Sequence, residues 1–149
     1  MMAGSCARTE ILVGKLGLSQ LAESHVLIAG LGGVGGACAE SLCRAGVGEL
    51  TLVDFDMVAK TDLNRQLIAL HSTLGKSKVE VLSKRLRDIN PDTIINEKNI
   101  FIDRQEAEEI AKDDDLTFIA DCIDAIAYKT VLIDACNRSG MPIISSMGA

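Results

Sequence analysis

Four glycines in six residues, Gly30-Leu31-Gly32-Gly33-Val34-Gly35, follow directly on the apolar run from His25 to Ala29. A buried strand that turns sharply into a helix needs that spacing, and four glycines at these offsets are too many for simple punctuation of a loop. Gly30 permits the tight turn, Gly32 lets the backbone approach a ligand, and Gly35 allows the helix to pack closely on the strand. The helix that follows offers free N–H groups and the positive end of its dipole, so the natural occupant of the turn is a phosphate.

From His25 onward, β-like apolar runs alternate with helical patterns, which is the signature of βαβ units in a parallel sheet. The pattern predicts strands at His25–Ala29, Glu49–Val53, Thr93–Lys98, Leu116–Asp121 and Pro142–Ser145, with four helices between them. Val79, Leu82, Leu86 and Ile89 recur at helical spacing between Lys76 and Asn90, before Pro91 ends the segment. Asp103 and Glu106 resemble a capping box for a polar helix through Lys112, and Asp113-Asp114-Asp115 reads as its solvated exit. A length of 149 residues with 48% hydrophobic residues suits one domain of this kind. The expected architecture is α/β: a Rossmann-like, doubly wound, mainly parallel sheet with helices on both faces. Residues 1–24 are expected as an arm over Met1–Glu10 plus a short helix over Ser19–Glu23, and residues 25–149 as the nucleotide-binding domain. The sequence stops directly after a predicted strand, which predicts a fold shortened on its C-terminal side.

Fifteen basic against twenty-one acidic residues give a net charge of −6, so no overall field attracts nucleic acid and any RNA must meet a local patch. Cys6, Cys38, Cys43, Cys122 and Cys136 are odd in number and widely spaced, with no C-x-x-C pair to close a zinc or redox site. Reduced thiols in a cytoplasmic protein are the simplest reading. Runs such as Val26–Ala29 are far shorter than the roughly 20 apolar residues that span a bilayer, so no membrane segment is expected in this sequence.

Asp54 ends the second strand at the distance where an acid meets a ribose hydroxyl pair, which together with the glycine turn predicts an adenosine nucleotide. Those two features alone would also suit NAD. Arg65, Lys78 and Asp124 separate the alternatives, because a redox site has little use for two cations and a second acid at the C-terminal ends of the strands. An ATP-Mg²⁺ site uses all three: Arg65 and Lys78 meet the charge that develops as pyrophosphate leaves, and Asp124 holds Mg²⁺ directly or through water. Asn64 and Gln66 would add orientation.

In order along the chain, the G-x-G-G-x-G turn, Val53-Asp54-Phe55-Asp56, Asn64-Arg65-Gln66, Gly75-x-x-Lys78-Val79 and Asp121-x-x-Asp124 resemble the E1/ThiF/MoeB superfamily of ATP-dependent adenylating enzymes. Within it, the stretches Ala7–Gly14, Thr61–Leu70 and Asp124–Lys129 resemble the tRNA threonylcarbamoyladenosine dehydratases. The resemblance covers the chain from about Arg8. Gly30, Gly32, Gly33 and Gly35 are the glycines expected to contact the bound nucleotide, and the resemblance implies that Asp54 contacts ribose and that Asp56 and Asn64 line the nucleotide pocket. It also implies that Arg65 and Lys78 bind phosphates, that Asp124 serves Mg²⁺, and that Arg8 reaches into the ATP site of the partner in a homodimer. The implied activity is ATP-dependent activation of the carboxylate on modified adenosine-37 of a tRNA, followed by ring closure with loss of water. The alternatives are adenylation of a ubiquitin-like or sulfur-carrier protein, with a carrier or cysteine-desulfurase-type partner, an NAD-dependent oxidoreductase, and a fragment without catalysis.

Each candidate also has a plainer reading. Arg8 could be a solvated base, Lys78 could point to water, Arg65 could pair with Asp62 or Asp56, and Asp124 could cap the helix beginning beside Ile126. Cys122 at the end of an apolar strand reads as packing rather than as a nucleophile, and His25 and His71 lack partners at ligand spacing.

Overall fold

The computed structural model describes residues 6–147. Five parallel strands, β1 (His25–Ala29), β2 (Glu49–Val53), β3 (Ile94–Lys98), β4 (Phe118–Asp121) and β5 (Ile143–Ser145), form one sheet in the order β3-β2-β1-β4-β5. The expected α/β doubly wound architecture is what forms, with strand ends shifted by one or two residues.

Alternation along the strands divides the core in two. Val26, Ile28, Leu50, Leu52 and Ala120 face one side of the sheet, where α2 (Gly33–Ala45) brings Ala39 and Cys43 and α3 (Lys78–Ile89) brings Val79, Leu82 and Leu86. Leu27, Ala29, Val53 and Ile119 face the other, against Ala107 and Ile110 of α4 (Arg104–Ala111) and Leu132, Ala135 and Cys136 of α5 (Ile126–Ser139). Side chains of period two on the strands therefore meet helical stripes on both faces, which fixes the register because a slip of one residue would exchange the two cores. Asp103 caps α4 as expected, its carboxylate accepting the Glu106 N–H at 3.0 Å.

The N-terminal region differs from expectation. Two helical stretches that meet at Gly14, whose φ of 71° breaks the helical course, make up α1 (Ala7–Ala22); the second covers most of the expected short helix over Ser19–Glu23, and the first occupies part of the expected arm. The part of the predicted arm before Cys6 lies outside the described residues. The sequence pattern concealed the first stretch because α1 has no fully buried residue, only half-buried Leu21 near its end packing against the core, and so carries no apolar stripe facing the sheet. No described helix is long and apolar enough to cross a membrane.

Strand order reverses between β1 and β4, whose following loops diverge and open a crevice at the C-terminal edge of the sheet.

Candidate functional site

The crevice is a cleft of about 960 Å³ lined by Gly30, Gly32, Gly33, Asp54, Asp56, Asp62, Arg65, Gln66, Lys78 and Asp124, among others. Its floor is the turn from β1 into α2. Gly30 has a φ of +86°, and a side chain there would press on the Cys122 carbonyl at 2.9 Å, so the turn can close only around glycine. A Cβ on Gly35 would collide with the Gly30 carbonyl. Gly35 is thus the close contact between helix and strand, as its place in the motif predicts, and is absent from the cleft wall, in contrast to the nucleotide contact also expected of it. The backbone N–H groups of Gly33 and Val34 in the first turn of α2 have no carbonyl within the helix to bond, and both residues line the cleft.

Asp54 pins this turn to the end of β2. One carboxylate oxygen accepts the Leu31 N–H at 2.7 Å and the other accepts the Asp56 N–H at 2.8 Å. Hydrogen bonds to a charged group contribute about 1.5–3 kcal/mol each. Asp54 therefore shapes the loop before any ligand arrives, and its remaining lone pairs face the cleft it lines.

Arg65, Gln66 and Lys78 converge on one carboxylate, Asp62, which is 6% exposed. Asp62 Oδ1 accepts the Gln66 side-chain amide at 2.9 Å, Oδ2 accepts the Ala59 N–H at 2.9 Å, and the Lys78 ammonium and Arg65 guanidinium each stand 3.8 Å away. Lys78, itself 6% exposed, also lies 3.4 Å from Asp56. These separations exceed the roughly 2.8 Å of a tight charge-assisted bond. Both cations are thus gathered without being saturated, and their spare N–H donors suit phosphate oxygens. The plainer reading of Lys78 as a solvated helix start is excluded by its burial, whereas Arg65 does pair with Asp62 and does so at the cleft.

Asp62 as the hub escaped the sequence. The signal was present, since Arg65 and Gln66 stand three and four residues after it and one turn of chain, opened by the 3-10 helix Lys60–Asp62, brings them together. The Gln66 side-chain amide oxygen, Oε1, is buried and has no hydrogen-bond partner among the described residues. An acceptor so placed requires a donor from water or ligand.

Asp124 lines the opposite wall, and among the described residues it makes no hydrogen bond or ion pair. It does not cap α5, whose N-cap position is held by Ala125 without a side-chain bond. A carboxylate left unpaired in a cleft that also presents Arg65 and Lys78 has the chemistry to hold a hard cation such as Mg²⁺, which takes one or two carboxylates together with phosphate oxygens and water. Among the described residues no group of three or more His, Cys, Asp or Glu side chains is gathered to hold a metal ion, so Asp124 would need phosphate oxygens and water to complete a metal's shell. The Asp124 loop is set by Asp121, fully buried at the end of β4. Its carboxylate accepts the Ile123 N–H at 3.0 Å, the Ser145 hydroxyl at 2.7 Å and the Lys129 ammonium at 2.6 Å.

Asn64 is exposed, donates nothing to the cleft and instead accepts from Arg65 at 3.0 Å, so the structure leaves it off the wall. Arg8 lies on exposed α1, away from the cleft of its own chain. Cys122 borders the cleft beside Cys38 of α2. A hydrogen bond from Cys122 brings Cys38 down to about 7 against the opposing effect of burial, and that same bond, with burial, pushes Cys122 far above the ordinary thiol range. Cys122 is therefore a poor nucleophile, in keeping with its reading as packing.

The sequence model of the ThiF family matches residues 6–149. The chain is 43% identical over 143 residues to the tRNA threonylcarbamoyladenosine dehydratase of Bacillus subtilis strain 168, covering 96% of this chain and 56% of that protein. It is 39% identical over 129 residues to the molybdopterin-synthase adenylyltransferase of Escherichia coli K12, covering 87% of this chain and 51% of the relative. The crystal structure of the E. coli tRNA N6-threonylcarbamoyladenosine dehydratase in complex with ATP superimposes with a TM-score of 0.94 at 34% identity, over 97% of this chain and 59% of that one. The chain thus spans about half the length of the relatives it matches.

Proposed function

Because this chain belongs to the ThiF family, we propose that its cleft binds ATP and activates a carboxylate as an acyl-adenylate, and that the carboxylate is that of threonylcarbamoyladenosine-37 in tRNA. The observation that carries the reading is the convergence of Arg65, Lys78 and the helix N-terminus on one side of a cleft whose other side presents the free carboxylate of Asp124. NAD chemistry would leave that set without a task. A relative that makes the same product and a neighbour that holds ATP support it.

In the proposed reaction a substrate carboxylate oxygen bonds to the α-phosphorus, the bond from that phosphorus to the bridging oxygen breaks, and its electron pair leaves with pyrophosphate. Negative charge grows on the leaving group. The first-turn N–H groups of α2 hold the phosphate against the turn, while Lys78 and Arg65, lightly held by Asp62, swing the short distance to the departing oxygens. Asp54, with Asp56 beside it, keeps the turn in shape and offers an acceptor to the ribose, and Gln66 holds Asp62 in orientation. Mg²⁺ at Asp124 would neutralise charge on the phosphates. The resulting mixed anhydride is then open to internal attack with loss of AMP, which accounts for the net removal of water.

Arg8 and exposed Ile11, Leu12 and Leu16 on α1 fit a homodimer in which this helix meets a second copy, with Arg8 completing the partner's site. A tRNA substrate places the protein in the cytoplasm. Incubating the full-length protein with threonylcarbamoyladenosine-bearing tRNA and ATP-Mg²⁺ should yield the cyclic nucleoside, AMP and pyrophosphate. Pyrophosphate exchange that depends on a small carrier protein and ignores tRNA would replace the tRNA by the second reading, which the molybdopterin-type relative favours.

A further inference from the structure

We infer that Phe55, Phe101 and Tyr128 form a stacking platform, at the lip of the cleft, for an unpaired base of the RNA substrate. The inference rests on the tRNA reading of the site. The chain has four aromatic residues, three Phe and one Tyr, and three of the four gather here. They arrive from three segments: Phe55 follows β2, Phe101 follows β3, and Tyr128 lies in the first turn of α5. The Phe55 and Phe101 rings meet edge to face with centroids 4.9 Å apart, and Phe101 and Tyr128 do so at 4.5 Å.

Their exposure is the telling quantity. The three rings are 53%, 39% and 40% exposed. An aromatic ring stabilises a fold chiefly by burial, and this protein fills its core almost wholly with aliphatic side chains. Rings kept together but in water offer π faces to something flat. The nucleotide's own base has another place available, because Ile100, Ile102 and Ile123 line the deeper part of the same cleft, Ile102 being 6% exposed. Aliphatic slot inside and aromatic lip outside are two subsites for two bases.

Exposed rings held together beside a cleft are the kind of surface on which unpaired bases of single-stranded RNA stack. In threonylcarbamoyladenosine the carboxylate hangs from the base, so a base held at the lip leaves its side chain free to enter toward the glycine turn. A carrier protein's flexible C-terminal peptide has no flat surface to match.

These 149 residues contain one Tyr and no Trp, so the tyrosine emission of the 149-residue chain reports on Tyr128 alone. With ATP already saturating, a stem-loop RNA carrying an unpaired adenosine should quench that emission after inner-filter correction, and a blunt duplex should not. In the full-length protein, Phe101→Ala and Tyr128→Ala should each raise KM for the modified tRNA about tenfold, the scale of one lost stacked base, and raise it at least fivefold more than KM for ATP. Tyr128→Phe should restore the tRNA KM, and circular dichroism should show the variants folded. Quenching by ATP alone, or an equal rise in both KM values, would assign the rings to the nucleotide's own base and overturn the platform. Wild-type protein that converts tRNA while the alanine variants keep its KM would also remove the platform and leave the parent reading intact. Wild-type protein inert toward tRNA would remove the parent reading first.

Discussion

Replacing Lys129 by Met tests how the cleft is held from behind. The Lys129 side chain is 4% exposed and the Asp121 side chain 0%, and their charged atoms lie 2.6 Å apart. Removing the ammonium strands a buried carboxylate, for which breaking a buried pair costs about 3–5 kcal/mol. Asp121 keeps its bonds to the Ser145 hydroxyl and the Ile123 N–H, so the lower half of that range is expected. Against a total stability of about 5–15 kcal/mol the loss is large. Asp121→Asn combined with Lys129→Met removes both charges while keeping an acceptor for Ile123 and a polar partner for Ser145. The double variant should recover at least about 2 kcal/mol relative to the sum of the single changes, because contacting residues couple on this scale. Urea unfolding followed by circular dichroism measures all four corners of the cycle. A loss below about 1 kcal/mol for Lys129→Met, or simple additivity, would show that the pair is not the buried brace described. Since Asp121 also fixes the Ile123 N–H one residue before Asp124, nucleotide affinity should fall in Lys129→Met even in conditions where the protein stays folded.

Gly35→Ala forces a methyl group against the Gly30 carbonyl, so melting temperature and ATP affinity should fall together, at a cost of about 1–3 kcal/mol typical of overpacking; an unchanged melting curve would contradict the close approach. Asp124→Asn should leave the melting curve of the free protein in place and bring the ratio of ATP affinities with Mg²⁺ and with EDTA close to one, as read by calorimetry; a ratio like that of the wild type would take the metal away from Asp124. Cys38 is an acid whose value is lowered to about 7, so its thiolate fraction rises as pH passes upward through that point. Alkylation at Cys38, followed by mass spectrometry, should therefore show a half-maximal rate near pH 7, and Cys122→Ala should move it back up toward the ordinary thiol value, since the Cys122 hydrogen bond is the lowering influence.

Much of the fold was written locally. The glycine spacing, the apolar runs and the helical stripes each bias a short stretch of chain through sterics and burial, and these biases agree with one another, so the five strands, four intervening helices and doubly wound class were legible. The first half of α1 was not, because the pattern that betrays a helix is its buried stripe, and in α1 only Leu21 near its end packs, half-buried, against the core. Gly30, Asp54, Arg65, Lys78 and Asp124, singled out from residue type and order, do line one cleft, because loops that follow parallel strands gather at one edge of the sheet.

Sequence by itself decided which residues carry charge and where the chain turns. Tertiary structure alone decided their partners. That Lys78 is buried between Asp56 and Asp62, that Asp54 spends its oxygens on Leu31 and Asp56, that Asp121 stands against Lys129, and that three aromatic rings from three segments meet at one lip are consequences of parallel strands ending side by side. The physical reason is range: backbone preference acts over a few neighbouring residues, whereas hydrogen bonds and ring contacts act through space between segments that only the closed sheet brings within a few ångströms of each other.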